Sequence, residues 1–213
     1  SLSSANVDAV IKKRILEKTP TAEETLALCY EQKATIIKNL IVFNDGVEKK
    51  LYAGLQDFQQ VYPFIPYQFN LLASVLTSIR THSSSGKHLS EGERSMLALF
   101  KESAVAIKEE EVGAFVPFYR FYNALENFLD HSHRSVIIRA YENSYINPEH
   151  RDDVFAVNVL KTLFMIKYVP ENEANVENIT SLMNESMDDA RLAINERAER
   201  AIKVLIRQLT VQQ

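Results

Sequence analysis

Apolar residues along this chain recur every three or four positions and almost nowhere alternate, the spacing of helices that bury one face. Val7, Val10, Ile11 and Ile15 mark the first predicted helix, over 6–16, which stops ahead of Pro20. Thr21-Ala-Glu-Glu24 reads as a capping box, its hydroxyl and carboxylate each satisfying a backbone N–H that the first turn leaves unpaired, and it opens a predicted helix over 21–43. Asn44-Asp-Gly46 closes that helix. A short helix over 50–58 precedes the aromatic run Val61-Tyr-Pro-Phe-Ile-Pro-Tyr-Gln-Phe69, which its two prolines fix as extended. Pro66 suits the first position of the following helix, whose Phe69, Leu72, Val75, Leu76 and Ile79 share a side and which ends near Thr81.

The polar stretch His82-Ser-Ser-Ser-Gly-Lys-His88 reads as a loop, and Ser90-Glu-Gly-Glu93 as a second capping box opening a helix that ends in Lys108-Glu-Glu-Glu111. Gly113 and Pro117 interrupt the pattern, so the expected division is a helical domain over 1–112 and a second over 113–213. The second half predicts helices over 117–129, 133–143 and 148–167, the last apolar around much of its circumference and so the most buried. Asn175 caps a short helix to Met183, and Ser186-Met-Asp-Asp189 opens a long amphipathic one to Leu209. The fold class is therefore all-α. A buried helix, a short capped helix, a longer helix and then strand-like Thr210-Val211 is the order of a winged helix-turn-helix cut off before its wing.

Composition narrows the chemistry. With 213 residues, 46% of them hydrophobic, the chain can bury a substantial core without covalent staples. Cys29 is its only cysteine, which excludes an internal disulfide and fits a reducing compartment. There is no apolar run of membrane-spanning length and no leader pattern, so the expected location is cytoplasmic, with no membrane partner. The ends carry neither glycine nor proline, and the chain reads as a section of a longer protein. A net charge of −4 argues against the chain as a whole binding a phosphate backbone.

Few constellations invite a catalytic reading. Ser85-Gly-Lys-His88 lacks the leading glycine and following hydroxyl of a Walker A loop, and no strand precedes it, so it is either a phosphate-approaching loop or a solvated connection. Arg94, near the positive end of a helix, implies an anionic partner or an ion pair with Glu91 or Glu93. His131-Ser-His133, with His82, His88 and His150, lacks acidic or thiolate partners at metal-ligand offsets. No serine sits in a nucleophile elbow, and Cys29 reads as a packed thiol. On the last helix Arg191, Arg197, Arg200, Lys203 and Arg207 are offset by Asp188, Asp189, Glu196 and Glu199, a mixture that releases few counterions from DNA and favours a protein-contacting or structural unit over a DNA reader.

Tyr62-Pro-Phe-Ile-Pro-Tyr-Gln-Phe69 with Gly86-Lys-His-Leu-Ser-Glu-Gly-Glu-Arg-Ser95 downstream resembles the large P-loop ATPase of BREX phage-resistance systems, and the resemblance extends to Val159-Leu-Lys-Thr-Leu-Phe164. It implies a section lying after the nucleotide-binding core: a helical lid, then a winged-helix-like unit, in an AAA+- or STAND-like protein. Arg94 is then the sensor-like residue that reaches the terminal phosphate, with Lys87 and His88 beside it, a planar permanent cation being suited to pairing with phosphate oxygens. ATP and magnesium belong to the parent. The implied partners are the rest of that ATPase, other defence subunits and, through the assembly, DNA. Without Walker A and B elements the section is expected not to be an enzyme. The other reading, from a different class, is a stand-alone helical DNA-binding or regulatory module.

Overall fold

The computed structural model describes residues 4–82 and 93–209. Its regular structure is helical, as expected: α1 Ser4–Arg14, α2 Pro20–Leu40, α3 Leu55–Val61, α4 Tyr67–His82, α5 Glu93–Ala106, α6 Tyr119–Leu125, α7 His131–Glu142, α8 Phe155–Ile166, α9 Val176–Leu182 and α10 Arg191–Leu209. The described residues form no β-ladder, only an isolated antiparallel bridge between Ala114 and Ser186. Among them, no helix is long and apolar enough to cross a membrane.

Several boundaries differ from the sequence reading, each for a local reason. Thr19, not Thr21, caps α2: its Oγ1 accepts from Ala22 N at 3.1 Å, and Pro20, which has no N–H to satisfy, occupies the first helical position. That helix ends at Leu40 because the Ser181 hydroxyl engages both the N–H and the carbonyl of Val42. α3 starts five residues later than expected, where the Asp57 carboxylate reaches back to accept from Ala53 N at 2.8 Å. The Tyr-Pro run is not extended. It turns tightly, with Phe64 N donating to Val61 O at 3.0 Å, and α4 begins just after Pro66. The helix expected from residue 148 starts only at Phe155, because the Asn147 side chain accepts from Arg151 N and donates to Tyr141 O and Arg151 O, holding 141–151 as a knot of turns. Asp189 likewise folds 184–189 into a turn by accepting from Glu185 N and Ser186 N, so α10 opens at Arg191 and not at the expected cap. The cap that Asn175 provides to α9 is as expected, its Oδ1 accepting from Asn178 N at 2.9 Å. The capping box at Ser90 lies outside the described residues.

One continuous cluster of buried apolar side chains draws on residues from both sides of 113, including Ile11, Phe58, Phe64, Phe100, Phe115, Phe121, Val157, Ile179 and Leu205. Aromatic rings form its centre. Phe100 lies against Phe64, Phe69 and Phe121 with centroids 4.6, 4.7 and 5.1 Å apart, edge and face contacts that add to plain area burial. The expected boundary at 113 falls within this packing. Gly113 adopts φ 115°, a region closed to most side chains; its N–H donates to the Tyr62 hydroxyl and its carbonyl accepts from Met187 N, both at 2.9 Å. α8, α9 and α10 pack pairwise against one another, and α8 is buried on most of its circumference.

Candidate functional site

α4 and α5 are fixed by what they bury. Phe69, Leu72, Val75, Leu76 and Ile79 of α4 and Met96, Leu99 and Phe100 of α5 enter the core. The two helices thereby hold both ends of segment 83–92. At the α4 end the His82 ring stacks on Tyr168, with centroids 4.9 Å apart, and the Ser78 hydroxyl donates to the Tyr168 carbonyl at 3.3 Å. This end of the bundle is thereby tied to the turn after α8. At the α5 end Arg94 stands exposed in the first turn, and no ion pair among the described residues involves it. Lys87, His88 and Glu91 lie outside the described residues, as does the side chain of Glu93.

The histidines occupy separate settings. Asp130 caps α7 by accepting from His133 N at 3.0 Å, and the same oxygen meets His133 Nδ1 at 2.7 Å, so this imidazole completes a helix start. His131 is exposed two residues earlier, and His150 sits in the turn at φ 52°. Among the described residues no three His, Cys, Asp or Glu side chains come together as a metal set. Cys29 Sγ lies 3.5 Å from Met187 Sδ, and burial pushes its thiol pKa up, the opposite of what an activated nucleophile needs.

The cations of α10 are partly committed to structure. Arg191 donates to Leu40 O and Ser181 Oγ, both at 2.8 Å, and pairs with Glu177 at 3.1 Å, stapling α10 to the end of α2 and to α9. The Arg197 guanidinium lies 4.1 Å from the Phe155 ring centroid, and Lys203 faces Glu199 at 3.9 Å.

Two lysines that the sequence reading did not single out have unusual surroundings. Lys161, only 6% exposed, places Nζ 2.8 Å from Asn123 Oδ1 and 2.9 Å from the Tyr141 hydroxyl, over the faces of Tyr122 and Tyr141. Burial lowers its pKa, with Glu126 and Asp153 opposing that shift. A cation in the middle of the otherwise apolar run Val159-Leu-Lys-Thr-Leu-Phe164 was the available signal. Lys18 lines a cleft of about 580 Å³ bounded by α1, the start of α2, and α3, and burial lowers its pKa to about 8. Nothing in the local sequence marks it, because one wall comes from Gln56, Gln59 and Gln60, up to 42 positions away along the chain (60 − 18). No family model matches this chain, and no solved structure matches its fold.

Proposed function

We propose that this chain is a non-catalytic helical section of a large P-loop ATPase of bacterial phage defence, coupling the nucleotide state of its parent to contacts with partner subunits. The carrying observation is where the Tyr62–Phe69 motif lies. Phe64 and Phe69 both pack on Phe100, so the motif joins the helix entering segment 83–92 to the helix leaving it. A phosphate contact at Arg94 would be passed along α5 to Phe100 and the core.

In this reading Arg94 is the sensor. It is exposed at the start of α5, where a guanidinium can pair with a terminal phosphate supplied by the parent's core, with Lys87 and His88 on the same connection. ATP and magnesium are held by the parent. The α8–α9–α10 unit serves as the winged-helix-like part, and the engagement of Arg191, Arg197 and Lys203 with neighbouring side chains favours protein contact over DNA reading.

The test uses the full-length parent. Arg94→Ala should lower ATP turnover at least tenfold while the circular dichroism spectrum and melting temperature of the protein stay unchanged. Unchanged turnover removes Arg94 from the mechanism. Duplex DNA binding by this chain alone, with a salt dependence of several released counterions, would favour the stand-alone DNA-binding module instead.

A further inference from the structure

We propose that the outward face of α5, together with the end of α1, is a docking groove for an acidic amphipathic helix of a partner protein. The groove has a volume of about 570 Å³. Its floor is apolar: Ile15, Leu97, Ala98, Ala104 and Val105, with Val105 50% exposed although it is an aliphatic side chain. The remaining lining residues are Arg14, Lys101 and Lys108, all cations. On a chain of net charge −4, a groove whose every charged lining group is positive selects an anionic occupant.

The spacing selects a helix. Lys101 lies on α5 and Lys108 in the turn that follows its end at Ala106, so the cations of the groove run on past the helix. Leu97 and Ala104 are seven residues apart within α5 and so share one stripe, about 10.5 Å apart along the axis, and Arg14 supplies a cation from the α1 wall. An incoming helix with apolar side chains at that seven-residue interval matches the stripe, because its own rise per residue is the same, and carboxylates flanking them suit the cations Arg14, Lys101 and Lys108. Arg94 stands on α5 one heptad before Lys101. It is kept intact in the test, so failure here leaves the nucleotide reading untouched.

The probe is a synthetic peptide of about 18 residues with leucines at the a and d positions of a heptad and glutamates flanking them. Its binding to the whole chain is followed by fluorescence anisotropy and by amide and methyl shifts at Leu97 and Val105. A matched peptide with lysines for glutamates is the charge control. The expected result is saturable binding of the acidic peptide alone, weakened at least tenfold in the K101E/K108E double variant and at least fivefold in Val105→Ser. These positions are exposed or at the groove, so the variants should keep the wild-type melting temperature. Equal binding of both peptides, an acidic peptide insensitive to K101E/K108E, or no binding at all would overturn the proposal. So would co-sedimentation with phosphatidylglycerol vesicles that depends on Lys101 and Lys108 when the acidic peptide does not bind, since the groove would then be a membrane contact.

Discussion

The Gln68 side-chain amide donates to the Val116 carbonyl at 2.7 Å, joining the first turn of α4 to the segment that leads into α6. Its Oε1 accepts from Ile65 N at 2.9 Å, so one side chain, 1% exposed, satisfies two buried backbone groups 51 residues apart (116 − 65). Gln68→Leu fills the same space but leaves both backbone groups without a partner. It should cost about 2–4 kcal/mol, read as a lower urea midpoint at unchanged m-value. A loss below about 0.5 kcal/mol would mean that water or a relaxed backbone replaces the amide.

Lys49 and Asp45 form the most buried ion pair among the described residues, at 2.8 Å with side chains 7% and 3% exposed. Lys49 Nζ also donates to the Glu171 carbonyl at 2.7 Å, and Asn178 Nδ2 reaches Asp45, so the pair pins loop 44–50 onto the approach to α9. Removing one partner strands the other charge. Lys49→Met should therefore destabilise by about 3 kcal/mol, while Asp45→Asn with Lys49→Met should recover part of that loss. A double-mutant cycle checks both, and strict additivity would show that the pair carries no coupling.

How much of this was legible in the sequence depends on range. The 3.6-residue period placed the helices, and Asn175 was recognisable as a cap because its partner is three residues away. The cap of α2 lies two residues before the expected Thr21 because Thr19 and Thr21 are equally good caps, and only the fixed φ of Pro20 decides between them. Starts at 155 and 191 were hidden by Asn147 and Asp189, whose side chains bind loop backbone that periodicity does not report. Arg94 could be placed on α5 from its own neighbourhood. The groove beside it could not, because Arg14 and Ile15 arrive from a helix some 80 residues earlier, a juxtaposition only tertiary packing creates.

Lys18 offers a titration test. With its pKa lowered to about 8 by burial, about half of its amine is free base at pH 8, against about 0.3% for a lysine of ordinary pKa. An amine-selective acylating reagent at that pH should modify Lys18 ahead of the other lysines in a peptide map. The same shift fixes a sign: between pH 8 and about 10.5 the unfolded chain holds a proton that the folded chain has released, so this group makes stability rise with pH across that window. Lys18→Met should flatten that part of the stability profile. Labelling no faster than at exposed Lys101 would show that the cleft admits enough water to restore an ordinary amine.

Lys161 separates the value of a side chain's stem from that of its charge. Its stem is buried on α8, whereas its ammonium meets a neutral amide oxygen, a phenol and the faces of Tyr122 and Tyr141, with no ion pair among the described residues and its pKa lowered by burial. A buried cation without a carboxylate partner adds little net stability, while its stem takes up core volume. Lys161→Met keeps that volume and should change stability by about 1 kcal/mol or less, with Asn123 and Tyr141 left to find each other or water. Lys161→Ala opens a cavity between α6, α7 and α8 and should cost about 2–4 kcal/mol. The lowered pKa adds a directional expectation: as for Lys18, wild-type stability gains from rising pH below the unfolded lysine value, and the Met variant lacks that gain. Chemical denaturation of the three proteins across alkaline pH measures all of this, and a Met variant as unstable as the Ala variant would show that the ammonium, not its stem, holds the three helices together.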